Sequence, residues 1–176
     1  MTGPGPAGKP APVASPATSA AAPSTAFVPA KSPARLGAAC PFLDAAEIAR
    51  AFGDDNGYAS SEDPPDTEGD ITSYTCEYRR ADDQDYEWAE LTVIAAPGHP
   101  SRKTALQVST QDCSDKPQAL SEAAVYCGNS DHGTDITVAK SSHGEMRVAL
   151  LTLTLASTDT FREGYTTLAS TIAERL

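Results

Sequence analysis

The stretch Ser73-Tyr74-Thr75-Cys76-Glu77-Tyr78-Arg79-Arg80, followed after a polar turn by Tyr86-Glu87-Trp88-Ala89-Glu90-Leu91-Thr92-Val93-Ile94-Ala95-Ala96, decides the fold class. The first run alternates, with Tyr74, Cys76 and Tyr78 on one side and Thr75, Glu77 and Arg79 on the other. Period-two alternation is the mark of a half-buried strand. The second run continues it, with Ala89, Leu91, Val93 and Ala95 facing inward and Trp88, Glu90 and Thr92 outward. Two such runs joined by the turn Ala81–Asp85 predict an antiparallel hairpin.

Outward from this hairpin the same reading repeats. Ala123–Cys127, Asp135–Lys140 and Met146–Ala156 predict three more strands, separated by turns at Gly128-Asn129, Gly133 and His143-Gly144. The last strand places Ala149, Leu151, Leu153 and Leu155 inward. Three helices are expected. Asp44 and Glu47 form a capping box that opens a helix carrying Ile48 and Phe52, with Leu43 as staple and Gly53 as its stop. Ser101 caps a second helix reaching to about Asp112, with Ala105 and Leu106 inward. Thr160 and Glu163 form a second capping box ahead of Phe161, Tyr165, Leu168 and Ile172, spaced as one helical face, with Leu176 extending it. Residues 54–70 read as an acidic, Gly/Pro-rich loop with a short edge strand near Tyr58. The expected architecture is α+β: one antiparallel sheet with helices packed on one face, in the order helix, strands, helix, strands, helix.

The chain has 176 residues, which suits one domain, residues 39–176, and a tail, residues 1–38. The tail carries Pro at 4, 6, 10, 12, 16, 23, 29 and 33 among Ala, Ser, Thr and Gly. Such a segment has too little apolar surface to offset its ordering entropy. Frequent Pro favours an extended spacer of about 3 Å per residue, the competing reading being a tail with no task. Aromatic residues are 6% of the chain, so the core must be built mainly from Leu, Val, Ile and Ala. Net charge is −11, with 13 basic against 24 acidic residues and no basic run, which argues against nucleic acid and against anionic membrane surfaces. No stretch approaches the ~20 apolar residues of a membrane span. The first residues lack the basic start and apolar core of a signal peptide. Met1 is therefore expected to be an added start on a chain whose signal or anchor was removed.

The four cysteines, Cys40, Cys76, Cys113 and Cys127, all follow the tail and allow three connectivities. The pairing expected is Cys40–Cys76, which ties the start of the domain to the first strand, and Cys113–Cys127, which ties the end of the second helix to the next strand. A loop of about 15 residues closed in this way is worth about 3 kcal/mol in the chain-entropy model. Zinc is disfavoured, because no two cysteines are closer than 14 positions and no histidine flanks one at ligand spacing. Thiol redox catalysis would need a C-x-x-C pair, which is absent. No cofactor or metal is expected.

The remaining candidates for chemistry are weak. His99, His132 and His143 sit beside or near glycines in predicted loops, where solvated histidines are the default, and no G-x-S-x-G elbow accompanies them. Asp66-x-Glu68-x-Asp70 could hold calcium, but Pro64-Pro65 and the missing distal glutamate favour a solvated acidic loop. Asp82, Asp83 and Asp85 read the same way. No phosphate-cradling glycine loop occurs. Trp88, Tyr86, Tyr74 and Tyr78 cluster on the first hairpin, and alternation puts Trp88 outside, as a contact for a ligand or partner. The other reading is that a helix or loop covers it as a second small core.

The stretches Cys40-Pro41-Phe42-Leu43-Asp44-Ala45-Ala46-Glu47-Ile48, Tyr74-Thr75-Cys76-Glu77-Tyr78 and Leu168-Ala169-Ser170-Thr171-Ile172-Ala173 resemble actinobacterial exported lipoprotein domains of unknown function. In that group a cysteine in the leader carries lipid, whereas this leader has none. The two later cysteines are also similar to those of the extracellular sensor domains of mycobacterial receptor kinases. The resemblance implies an exported, surface-tethered domain of the cell envelope, anchored to the outer face of the cytoplasmic membrane. The expected role is to bind or sense a protein or small molecule at the cell surface, without catalysis. A secreted enzyme with an unrecognised site and an accessory subunit of an envelope complex are the alternatives.

Overall fold

In the computed structural model, residues 27–29, 31–54, 57–81, 87–130, 133–154 and 159–176 are described. Helix α1 (Ala45–Phe52) starts where the sequence says it should. Asp44 accepts from the Ala46 amide, Glu47 returns a carboxylate to the Asp44 amide, and Gly53 ends the helix at φ 65°. A left-handed closing residue favours glycine, which has no Cβ to clash.

The strands are β1 (Tyr58–Glu62), β2 (Asp66–Glu68), β3 (Ile71–Arg80), β4 (Glu87–Ala96), β5 (Gln118–Ala119), β6 (Ala124–Gly128), β7 (Thr134–Ser142) and β8 (Glu145–Leu153). They form one open antiparallel sheet in the order β1-β3-β4-β8-β7-β6-β5, with β2 also on β3. Strands β1 and β2 share one edge, broken at Pro64-Pro65, residues with no N–H to give a ladder. Within the expected loop 54–70, Tyr58–Glu62 and Asp66–Glu68 are thus two edge strands. The β7–β8 hairpin turns on His143 and Gly144, both at positive φ (51° and 82°), which matches the twist of the flanking strands.

Helix α2 (Arg102–Ser109) is capped by Ser101, whose hydroxyl accepts from the Thr104 amide. Helix α3 (Arg162–Arg175) does not use Thr160 as its cap. A 3-10 turn, Asp159–Phe161, leads into it, and Phe161 at the cap position makes no side-chain capping bond. Leu155 lies outside the described residues.

The helices do not share one face, contrary to the expected arrangement. Alternation along β7 and β8 separates two clusters. Val138, Ala149, Leu151 and Leu153 join Ile48 of α1 and Tyr165, Leu168 and Ile172 of α3 in the main core. Their immediate neighbours Ala139 and Val148 point the other way and pack with Met146 and Ala105 of α2. So α1 and α3 cover one face, and α2 sits on part of the opposite, outer face. Helices α1 and α3 meet at Gly164, where a Cβ would lie 2.6 Å from the Ala51 carbonyl oxygen. Arg175 clamps the same pair, with a bidentate ion pair to Glu47 at 2.6 and 2.7 Å and a bond to the Phe42 carbonyl at 3.1 Å.

Two disulfides staple the structure, Cys40–Cys76 and Cys113–Cys127, the pairs expected from the sequence. They fit an oxidising, extracellular setting. No helix among the described residues is long and apolar enough to cross a membrane. Residues 31–38, read from the sequence as the end of the spacer, lie against the domain. The Ser32 hydroxyl bonds Ser142 and the Leu176 carbonyl, and the Ser32 carbonyl meets His143 Nε2 at 2.7 Å. Leu36 packs on the core. Lys140 and the fully buried Arg147, neighbours across the β7–β8 pair, bond the Ala173 and Leu176 carbonyls at the end of α3. Cations there oppose the negative end of the helix dipole.

Candidate functional site: the open outer face

Of the aromatic cluster expected on the first hairpin, Trp88 and Tyr78 are buried. Opposite Tyr78 and Arg79 the ladder skips a residue: Tyr78 pairs with Ala89, and Arg79 with Glu87. Trp88 is the extra residue of this bulge. A bulge breaks strict alternation and re-aims the side chain. Trp88 therefore joins Ala89 on the inner side, 5% exposed, stacked on Tyr58 at 4.7 Å and edge-on to Phe52 at 5.4 Å. Tyr78 is fully buried and donates its hydroxyl to the Leu43 carbonyl at 2.9 Å. Burial above all, then the charges of Glu62, Asp44 and Glu47, holds its phenol well above the usual tyrosine range. Tyr74 is half-buried against the same core. Tyr86 lies outside the described residues.

The uncovered surface is instead the outer face beside α2. Its register gives three parallel rows. Ser61, Glu77, Glu90, Thr152, Asp135 and Cys127 stand side by side across five of the pairings. The next row runs Thr75, Thr92, Leu150, Thr137, Val125, and the one after it Ser73, Ile94, Val148, Ala139. Over β3 and β4 these side chains are half-buried; Ile94 packs against the cluster that holds Ala105 of α2, and among the described residues α2 meets the sheet mainly at β7 and β8.

The electrostatics of the middle of this face are lopsided. Glu77 and Glu90 sit directly opposite one another, an arrangement that is unfavourable for like charges. Arg79 answers Glu77 at 2.7 Å and reaches Glu87 at 3.7 Å. Glu90 has the Thr92 hydroxyl at 3.4 Å. Desolvation, followed by the charge of Glu87, raises the Glu90 pKa; the Thr92 bond offsets part of this, and Glu77 and Asp63 add to it. Asp135 accepts from Asn129 Nδ2 at 3.0 Å. The face is thus rich in acceptors and hydroxyls, suited to amine, guanidinium or amide donors.

Other candidates do not assemble into a site. His99, at φ 49°, and His143 occupy turns, and neither ring meets a hydroxyl, thiol or carboxylate among the described residues; His132 lies outside them. Asp66 and Glu68 line the exposed edge strand β2, with Asp70 in the turn after it; Asp82, Asp83 and Asp85 are not among the described residues. One trio of possible metal ligands converges among the described residues: Cys40, Glu62 and Cys76. Both sulfurs are in the disulfide, and Glu62 is engaged by the Ala39 and Cys40 amides at 2.6 and 2.7 Å, so no thiolate is left to bind a metal. Compared with known families, characterised proteins and solved structures, the chain has no match.

Proposed function

We propose that this chain is an extracytoplasmic binding or sensing domain, without catalytic activity, carried at the end of its Pro-rich leader and held at the envelope surface by an anchor. The observation that carries the reading is the open outer face. A sheet face that, among the described residues, α2 meets mainly at β7 and β8, and that sets Glu77 against Glu90 beside Arg79, gathers carboxylates and hydroxyls where a partner's donors can reach them. The two disulfides support the extracytoplasmic setting. The likeness of the segments around Cys40, Cys76 and Leu168 to exported lipoprotein domains supports the tethering.

The test is photo-crosslinking in the native host. A photoreactive residue at Thr92, on the open face, is expected to trap a protein. One at Thr167, exposed on α3 on the opposite side of the sheet, is expected to trap none. Equal labelling from both positions, or none from Thr92, would overturn the reading.

A further inference from the structure

The outer face has two parts of different height and opposite charge. Helix α2 forms a ridge on it; beside the ridge lies the floor of β3, β4 and part of β8, which no other described helix covers. A helix is ~10 Å across with its side chains, which sets the height of the step. The ridge is poorly satisfied by its own chain. Ala105 is its one fully buried residue and Leu106 is half-buried. Val108 is 58% exposed and, apart from Val28 in the leader, is the one large exposed apolar side chain among the described residues.

The charges on the ridge are also misplaced for an isolated helix. Arg102 and Lys103 occupy the first turn of α2, which holds no acidic residue. Cations there face the positive end of the helix dipole, an unfavourable arrangement. Arg102 reaches Glu122 at 3.8 Å, but that carboxylate is 98% exposed and such a pair is worth little. The floor carries the complementary charge: Glu77 and Glu90 stand opposite one another across the β3–β4 pair, with Arg79 paired to Glu77. Between these acids and the ridge lie Ile94 and Leu150, both half-buried, Ile94 in part against its own chain's cluster of Ala105, Ala139, Met146 and Val148. One face therefore carries a ridge with an exposed valine and two first-turn cations, beside a floor of hydroxyls, Ile94 and Leu150 that bears the Glu77–Glu90 pair.

We infer that the occupant of the open face is a second copy of this chain, docked two-fold so that the α2 ridge of each copy lies on the β3–β4 floor of the other. This rests on the reading of the outer face as a binding face and names its partner. A two-fold interface uses the same patch twice, so ridge-to-floor contact made once is made again by symmetry. Val108 covers Ile94 and Leu150 of the other copy, and Arg102 and Lys103 face its Glu77 and Glu90. Both locally unfavourable charge arrangements are relieved by the one contact.

The experiment is light scattering and analytical ultracentrifugation of the full chain over a range of concentration and salt. A dimer that weakens as salt rises is expected. Arg102→Glu and Glu90→Lys should each weaken it about tenfold or more, while the double variant should recover most of the loss, because both symmetric contacts are then swapped together. Val108→Asp should abolish it. Urea unfolding of each variant checks that it folds; should one fail, the salt dependence of the unaltered chain still decides. A monomer at every concentration, or a dimer indifferent to all three changes, would overturn the proposal. A monomer whose Thr92 position still traps another protein sinks self-pairing alone. Failure of both experiments sinks the binding reading with it.

Discussion

At the scale of single residues, Trp88 shows where a sequence rule holds and where it stops. Counting by twos along 86–96 gives the inward positions Ala89, Leu91 and Val93, all buried. It fails one step earlier, because the bulge at Tyr78/Arg79 inserts a residue whose presence leaves no mark in the alternation. As the chain's single tryptophan, Trp88 should show blue-shifted emission and resist acrylamide quenching until urea unfolds the domain. Trp88→Ala should cost about 3–5 kcal/mol in the same unfolding experiment. Two carboxylates give opposite pH signatures. Burial alone would raise the Glu47 pKa, but its bonds to Arg175 and to the Asp44 amide, with the Arg175 and Arg50 charges, lower it overall. Its stabilising contribution is present above the ordinary glutamate range and is lost as pH falls through the lowered value. Glu90 is shifted up, so folding is favoured below the ordinary glutamate range and that advantage is lost as pH rises through the raised value. Glu90→Gln should therefore raise the urea midpoint at pH 7 and leave it nearly unchanged in acid.

At the scale of elements, the parts legible in the sequence are those fixed by local chemistry. The Asp44–Glu47 box and Gly53 delimit α1, Ser101 starts α2, and the hairpin turn at His143-Gly144 stands between β7 and β8. What was not legible depends on long-range packing. Helix α2 has a single buried side chain, Ala105, so its sequence does not say which face of the sheet it joins. The start of α3 illustrates the same limit: Thr160 and Glu163 have capping-box spacing, yet the 3-10 turn at Asp159–Phe161 takes that place. The open face was legible only as the polar half of each strand; that α2 sits mainly over β7 and β8 rather than β3 and β4 follows from where it lands. The α1–α3 crossing is sharply testable. Gly164→Ala would press a Cβ against the Ala51 carbonyl, forcing the helices apart at a cost of about 1–3 kcal/mol, read from the urea midpoint. The exposed Ser170, on the same helix away from the crossing, should accept alanine with little change.

At the scale of the whole molecule, the fold is a stapled open sheet with two helices closing one side and one helix shelving the other. The disulfides hold the edges: Cys40–Cys76 pins the start of the domain to β3, and Cys113–Cys127 pins the end of α2 to β6. Reduction should lower stability by about 2–5 kcal/mol per bridge, seen as a fall in urea midpoint with added reductant. The central claim is that the half-buried floor at Ile94 and Leu150 is covered when the protein works. Hydroxyl-radical footprinting tests it directly, comparing the full chain on intact native cells with the dilute purified chain. The account predicts that Ile94 and Leu150 oxidise more slowly on cells while the half-buried Phe161, on the opposite side of the sheet, oxidises at the same rate in both. Equal rates at Ile94 and Leu150 in the two settings would contradict it.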